Sequence, residues 1–190
     1  MRLFVALELP KEATDELSRL QSGLKQAFKA DRWQPLSNLH LTLHFLGDVD
    51  EKLISELRTD MDIVASIIEP FTLVLGSLGT FGRPDKPKVL WVGINGHRKD
   101  LGQLQLLLGK RFDMHAELHY DRRSYNPHIT LARGPQAHHL ELLEWYEQVQ
   151  SDHPVKWQVK AVHLYQSELL PSGAVHTIIH TSKLGEQQES

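Results

Sequence analysis

The chain has 190 residues and a formal net charge of −3 at pH 7, and 41% of its residues are hydrophobic and 24% charged. This composition is ordinary for a globular protein, and the net negative charge argues against broad, sequence-independent coating of a nucleic-acid backbone. The absence of cysteine excludes disulfides, thiolate metal sites and cysteine nucleophiles, and it fits a cytoplasmic location. The first apolar stretch contains Glu8 and Pro10 and is too short for a membrane span or a signal sequence, so we expect no membrane association.

The first half of the chain predicts five elements in the order strand, helix, strand, helix, strand, over residues 2–9, 11–29, 40–46, 50–68 and 71–78. The strands are indicated by apolar-rich stretches bounded by turn residues such as Pro10. The helices are indicated by apolar residues at intervals of three and four, as at Leu17, Leu20 and Leu24.

The same order recurs 88 residues later, over residues 90–97, 99–114, 128–133, 138–149 and 156–166, and an extra strand is predicted near residues 175–180. We therefore expect a single domain over residues 1–190, with an internal repeat that covers approximately residues 1–80 and 89–180. The predicted fold class is α+β, with two pseudo-symmetric lobes of mainly antiparallel sheet, outer helices and an active cleft between the lobes.

One short pattern occurs in both repeats, as NLHLTL over residues 38–43 and as NPHITL over residues 126–131. Side chains alternate between the two faces of a strand, so each His points to the same side as the Thr two residues later. Two such copies, with apolar residues after both His and Thr, occur by chance in about one of a few hundred chains of this composition. A pseudo-twofold axis between the lobes would bring His40 and His128 face to face.

Two imidazoles and two hydroxyls in symmetric opposition are suited to displacement at phosphorus. An imidazole titrates near neutral pH, so one ring can accept a proton while its protonated partner donates one on the opposite side of the reacting atom. The hydroxyls of Thr42 and Thr130 can hydrogen-bond the non-bridging oxygens, on which negative charge grows in the transition state. The spacing therefore predicts a phosphodiester site that needs no metal and no other cofactor.

Several segments resemble a known family: RLFVALELP at residues 2–10, HLTLHFLG at residues 40–47, YNPHITLAR at residues 125–133 and LYQSELLPSG at residues 164–173. They are similar to the two-histidine phosphoesterases, in particular the RNA 2',3'-cyclic phosphodiesterase branch historically called 2'-5' RNA ligase. The resemblance covers nearly the whole chain. It implies hydrolysis of a terminal 2',3'-cyclic phosphate to a 2'-phosphate, without a metal cofactor, in a cleft between two similar lobes.

The resemblance places the family's catalytic histidines at His40 and His128 and its phosphate-binding threonines at Thr42 and Thr130. It also implies a phosphate-binding arginine at Arg133, five positions after the second histidine. Positions five apart face opposite sides of a regular strand, so Arg133 needs a bulge or the end of the strand to turn toward phosphate.

Two positions depart from the family pattern. Tyr125 stands where relatives often have Phe, and relatives often have an aromatic residue near the position of His176. We expect neither position to touch the catalytic pair, although both bear on how a base or a sugar is held.

Further residues are candidates for substrate contact. His44 is expected on the same strand face as His40 and Thr42. Tyr125 and Trp33 are candidates for stacking on a terminal base, with core or rim packing as the alternative for both. Three arginines in loop-like stretches either border the cleft or are solvated surface charges: Arg83, Arg122 and Arg123.

Three alternatives stay open from the residues alone. A zinc site could use His40, His44 and His128, although no carboxylate-rich cluster accompanies them. A catalytically idle module that binds RNA ends or nucleotides would retain both motifs. The substrate could also be a small cyclic nucleotide in place of an RNA 3' end. No obligate protein partner is expected.

Overall fold

The computed structural model describes residues 1–185, and in that part of the chain it contains nine strands and four α-helices. The strands are β1 (Arg2–Leu7), β2 (Ala30–Trp33), β3 (Leu41–Asp48), β4 (Phe71–Arg83), β5 (Lys86–Gly96), β6 (His128–Pro135), β7 (Lys156–Val159), β8 (Ala161–Leu170) and β9 (Gly173–Lys183). The helices are α1 (Lys11–Ala27), α2 (Ile54–Ser66), α3 (Arg98–Phe112) and α4 (His139–Val149).

Two sheets form the framework of the molecule. One has four strands in the order β3-β1-β8-β9, and the other has five strands in the order β2-β6-β5-β4-β7. The neighbouring strands of both sheets pair antiparallel. Strand β3 begins directly after His40 and contains Thr42, and strand β6 contains His128 and Thr130; the two strands contact each other between the sheets. The α+β class with two antiparallel sheets is therefore confirmed.

The two halves of the chain exchange strands. β1 and β3 come from the first half, but β8, from the second half, is the next strand of their sheet. In the other sheet, β5 and β6 come from the second half and pair with each other, and β5 also pairs with β4 from the first half. Neither half of the sequence therefore contains a complete sheet, and each lobe is built from both halves.

The helices cover the outer faces of these sheets. α1 lies beside α4, where the ring of Phe28 meets that of Trp145 edge-on at 6.4 Å. Gln21 of α1 is buried and donates a hydrogen bond to the carbonyl of Leu131 on β6 (3.1 Å). α2 and α3 pack against each other, α2 also against β8 and β9, and α3 also against β3.

One apolar core joins the helices to both sheets. Leu17, Leu20 and Leu24, which set the helical spacing of α1 in the sequence, are at most 3% exposed. Burying a leucine side chain contributes roughly 1.5–3 kcal/mol relative to leaving it in water. The periodic leucines of α3 are buried in the same way, so packing on the sheets accounts for the helical positions that the sequence predicts.

All four predicted helices are confirmed. The second begins with a 3-10 turn over Glu51–Leu53, and Asp50 caps this turn by accepting a hydrogen bond from the backbone N–H of Lys52 (3.0 Å). None of the helices in residues 1–185 has the length and apolar character that crossing a membrane requires.

The single strand predicted over residues 156–166 is wrong. The chain forms β7 and β8 there, on either side of Lys160, and the two strands belong to different sheets. The sequence also does not predict β2, because its four residues, Ala-Asp-Arg-Trp, show no apolar alternation. β2 is held by its pairing with β6.

Candidate active site

Each motif strand has a bulge directly after its His-x-Thr. The pairing of β3 with β1 skips Leu43, and the pairing of β6 with β5 skips Leu131, which is the same position in the 88-residue repeat. A bulge shifts the alternation of faces by one residue. The fifth residue after each motif histidine, Phe45 on β3 and Arg133 on β6, is therefore exposed on the side of that histidine and not buried behind it.

A cleft of about 600 Å³ is lined by residues of both sheets and contains both motifs. The structure brings His40, Thr42, His128, Thr130 and Arg133 together in its walls. Further lining side chains that the sequence did not assign to the site include Arg2, Phe4, Arg32 and Phe45. The prediction that the two motifs lie in one cleft agrees with these lining residues.

The ring of His40 is held among aromatic rings. It stacks on Phe4 with centroids 4.7 Å apart, and Phe4 in turn stacks on Tyr165 at 4.9 Å. His176 meets the His40 ring edge-on at 5.5 Å. Burial is the largest cause that lowers the pKa of His40 to about 4; the neighbouring His176 adds to this lowering, and a hydrogen bond with the backbone of Asn38 acts in the opposite direction.

The ring of His128 lies edge-on against Phe81, with centroids 4.8 Å apart, and 6.1 Å from the ring of Trp91. Its Nδ1 lies 2.6 Å from the backbone carbonyl oxygen of Asn126. A carbonyl can only accept, so Nδ1 carries the proton and Nε2 is the nitrogen available to a substrate. Burial lowers the pKa of His128, the Asn126 carbonyl raises it, and the positive charge of Arg133 lowers it.

The two histidines thus have equivalent supports. Each contacts the backbone of the asparagine two residues earlier, Asn38 for His40 and Asn126 for His128. The Asn38 side chain also donates a hydrogen bond to the carbonyl of Ala174 (2.8 Å) and so ties the first motif to β9. The main chain at this repeated position therefore contacts each motif histidine, and the side chain of Asn38 adds a hydrogen bond of its own.

The polar groups beside the two rings are available to a ligand. Within residues 1–185, the hydroxyls of Thr42 and Thr130 make no hydrogen bond to protein, and Arg133 forms no ion pair. All three side chains line the cleft beside the histidines. Two hydroxyl donors and a guanidinium facing one space are suited to the oxygens of a phosphate group.

The expectation that His44 shares the face of His40 is wrong. The bulge at Leu43 turns His44 into the core, where it is 5% exposed. Its Nε2 lies 2.8 Å from the carbonyl oxygen of Gln105 on α3, and its ring packs edge-on against Phe112 at 5.4 Å. His44 therefore supports the packing of β3 on α3 and does not contact the cleft.

The position of His44 also means that the three histidines considered as zinc ligands, His40, His44 and His128, do not lie together. His40 and His128 line the cleft, whereas His44 faces the core on the other side of the sheet. Among residues 1–185, no group of three or more His, Cys, Asp or Glu side chains is arranged to hold a metal ion.

Tyr125 does not line the cleft, so its predicted contact with substrate is wrong. It packs against the main core, and burial raises the pKa of its phenol. The phenol oxygen has no hydrogen-bond partner within residues 1–185. Trp33 does line the cleft, with the ammonium of Lys25 5.8 Å from the centre of its ring.

Of the three arginines that the sequence places in loop-like stretches, Arg123 lines the cleft, where it forms an ion pair with Asp121. Arg83 and Arg122 pair with carboxylates outside the cleft and are surface charges.

The expectation that His176 does not touch the catalytic pair is wrong, because its ring contacts the ring of His40. It also lines the cleft. The only sign of this position in the sequence is that relatives often have an aromatic residue near it. Nothing in the local pattern shows that β9 lies beside β8 and so brings His176 to the first motif.

Comparisons with known proteins agree with this geometry. Residues 8–169 match the family model described as the 2'-5' RNA ligase superfamily. A protein of Aeropyrum pernix named RNA 2',3'-cyclic phosphodiesterase is 32% identical over 174 residues, which cover 88% of this chain and 94% of that relative. A protein of the same name from Geobacillus stearothermophilus is 35% identical over 136 residues, 68% of this chain but only 41% of that longer relative. The crystal structure of E. coli LigT complexed with 3'-AMP has a TM-score of 0.72 and 25% identity, covering 97% of this chain and 98% of that one. The chain belongs to the 2'-5' RNA ligase superfamily.

Proposed function

We propose that the protein hydrolyses the 2',3'-cyclic phosphate at the 3' end of RNA or an oligonucleotide to a 2'-phosphate, with His40 and His128 as its general acid and base. The observation that carries the proposal is the presence of both His-x-Thr motifs in one cleft, each with imidazole and hydroxyl on the same wall. The names of the curated relatives and the 3'-AMP bound to LigT support this substrate class.

In the proposed reaction, water attacks phosphorus and the bond from phosphorus to the 3'-oxygen breaks. One neutral imidazole takes a proton from the attacking water, and the other, protonated, gives a proton to the departing 3'-oxygen. The hydroxyls of Thr42 and Thr130 donate hydrogen bonds to the non-bridging oxygens. Arg133 holds the negative charge of the phosphate before and during the displacement.

The different environments of the two rings support an assignment of roles. His40, with a pKa of about 4, stays neutral over most of the acid range and is suited to be the base. His128 lies near Arg133, whose charge lowers the His128 pKa in addition to burial. A phosphate anion bound between them neutralises this charge and raises the pKa of the imidazole. Substrate binding thus prepares His128 to be the acid.

The proposed mechanism needs no metal and no other cofactor, because the two imidazoles and the two hydroxyls supply the proton transfers and the charge stabilisation. A small cyclic nucleotide is the second candidate substrate, since it carries the same reacting group. The cytoplasmic location expected from the cysteine-free sequence stays a prediction.

The test is turnover of an oligoribonucleotide that ends in a 2',3'-cyclic phosphate by protein treated with EDTA and desalted. Phosphorus NMR distinguishes the 2'-phosphate product from the 3'-phosphate. We expect activity after chelation and the 2'-phosphate as product. A 3'-phosphate would contradict the proposed leaving group, loss of activity with rescue by zinc would contradict the metal-free mechanism, and tight binding without turnover would identify a binding module.

A further inference from the structure

Two arginines of the cleft lie directly opposite each other on neighbouring strands. β2 pairs antiparallel with β6 in a register that places Arg32 against Arg133. Directly opposed residues project from the same face of a sheet, with Cβ atoms about 4.5–5.5 Å apart. Both side chains line the cleft. Like charges in this arrangement destabilise the pairing of strands, so the position favours a ligand that neutralises them.

No carboxylate of residues 1–185 pairs with either guanidinium. Asp31 precedes Arg32 but faces the other side of β2, where its carboxylate packs so closely on Gly134 that a Cβ at that glycine would collide with it. Asp121, the acidic residue in the cleft wall, is already paired with Arg123. The hydrogen-bond donors of the opposed arginines therefore remain available to an anion.

The charge of the cleft is opposite to that of the whole chain. The chain has a net charge of −3, whereas the described lining of the cleft contains four arginines and one aspartate. A guanidinium matches the oxygens of a phosphate group with forked hydrogen bonds, and an opposed pair offers two such forks. The local excess of arginine indicates phosphate as the chemistry of the ligand.

The position of Arg32 separates it from the reacting phosphate. Arg133 is close enough to His128 for its charge to lower the pKa of that ring. β2 lies on the outer side of β6, one strand further from His128, and neighbouring strands are about 4.8 Å apart. A mononucleoside cyclic phosphate has its phosphate at the histidine pair and offers Arg32 no anion. An oligonucleotide has a second phosphate one linkage away.

We propose that Arg32 forms a subsite for the phosphodiester that precedes the terminal nucleotide, beside the cyclic phosphate that Arg133 holds, so that the cleft selects the 3' end of a single-stranded RNA over a mononucleoside cyclic phosphate. This inference rests on the proposed function, since it takes the cyclic phosphate to lie between His40 and His128. It assigns Arg32 a part in substrate selection and none in proton transfer.

The test compares Arg32→Gln with the wild type on three substrates: a mononucleoside 2',3'-cyclic phosphate, a dinucleotide with the same cyclic end, and that dinucleotide with a neutral methylphosphonate linkage. For the natural dinucleotide, Arg32→Gln should lower kcat/KM by about tenfold more than for the mononucleotide, mainly through KM, because a charged hydrogen bond to phosphate is lost. The methylphosphonate should remove most of this difference. Equal losses on the natural and the neutral dinucleotide would overturn the subsite.

Salt dependence and stability give readouts that a structural role would not produce. Loss of one phosphate contact should reduce the slope of log KM against log salt concentration by about 0.7 for a single strand. The Tm of Arg32→Gln should not fall, because one of two like charges has been removed. Arg58→Gln on α2, which is exposed and outside the cleft, is the matched control.

A binding measurement distinguishes failure of this inference from failure of the proposed function. If the wild type turned over none of the three substrates, the proposed function would be contradicted, and the subsite would be decided by the affinity for a 5'-labelled oligoribonucleotide that ends in a 2'-phosphate. Arg32→Gln should raise Kd for this probe about tenfold, Arg32→Lys less, and Arg58→Gln by less than twofold. Equal Kd values for Arg32→Gln and the wild type would overturn the subsite.

Discussion

The ring of His176 stands edge-on against the ring of His40, with centroids 5.5 Å apart and planes at 83°. The two residues come from opposite ends of the chain and meet because β8 and β9 complete the sheet of β1 and β3. A positive charge on His176 opposes protonation of His40 and adds to the effect of burial. Tyr165, close to the same ring, stays neutral over the acid and neutral range because burial raises its pKa to about 12.

We expect His176→Phe to shift the pH dependence of the reaction. The variant keeps an aromatic ring beside His40 but removes the charge, so the pKa of His40 should rise above about 4, while burial, the larger cause, still holds it below its ordinary value of 6.5. His40 acts as a base only when neutral, so the acidic limb of kcat/KM should move to higher pH. NMR titration of the His40 ring protons and the pH profile measure this shift. His153→Phe, in an exposed loop, is the control, and an acidic limb that does not move would contradict the influence of His176.

His40→Ala and His128→Ala should each lower kcat for a 2',3'-cyclic phosphate about a hundredfold to ten-thousandfold, the usual effect of losing a general acid or base. The double variant should lose much less than the product of the two effects, because both rings act in one displacement. Steady-state kinetics of the three variants measure this. Near-normal activity of either single variant would exclude the paired mechanism.

Thr42→Val and Thr130→Val should each lower kcat roughly tenfold to a thousandfold with little change in KM. Valine keeps the shape of threonine and removes the hydroxyl, which is most valuable when negative charge grows on the phosphoryl oxygens. Kinetics of each variant separate kcat from KM. Thr59→Val on the exposed face of α2 is a matched control for the substitution, and a rise in KM alone would indicate binding of the ground state only.

Arg133→Ala should raise KM and also lower kcat, because the guanidinium holds the phosphate before reaction as well as during it. The bulge at Leu131 and the position of Arg133 in the cleft wall support this expectation. Arg83→Ala, which removes a guanidinium paired with a surface carboxylate, is the control. Unchanged kinetics of Arg133→Ala would show that Arg133 is only a surface charge. The assignment of His40 and His128 as the catalytic pair would still stand.

His44→Ala should destabilise the fold by about 2–4 kcal/mol, because it removes a buried ring and its hydrogen bond to the Gln105 carbonyl. Under conditions where the variant is folded, kcat and KM should stay within about threefold of the wild type, since the bulge directs His44 away from the cleft. Chemical unfolding and kinetics on one preparation provide both values. A large kinetic effect with unchanged stability would place His44 in the site.

The sequence by itself determined the parts of this protein that depend on local spacing. The interval of two places His40 with Thr42, and His128 with Thr130, on common strand faces. Leu17, Leu20 and Leu24 predict the buried face of α1 because helical periodicity is likewise local. The recurrence of the whole order of elements after 88 residues indicates two similar lobes, and both motifs do lie in one cleft.

Only the tertiary structure decided which other residues join those motifs. The bulges at Leu43 and Leu131 exist because of how β3 and β6 pair with their neighbours, and they exclude His44 from the cleft while turning Arg133 toward it. The exchange of strands between the halves brings His176 to His40, and the pairing of β2 with β6 places Arg32 against Arg133. Strand register depends on a partner that is distant in the chain, so no local pattern in the sequence specifies it.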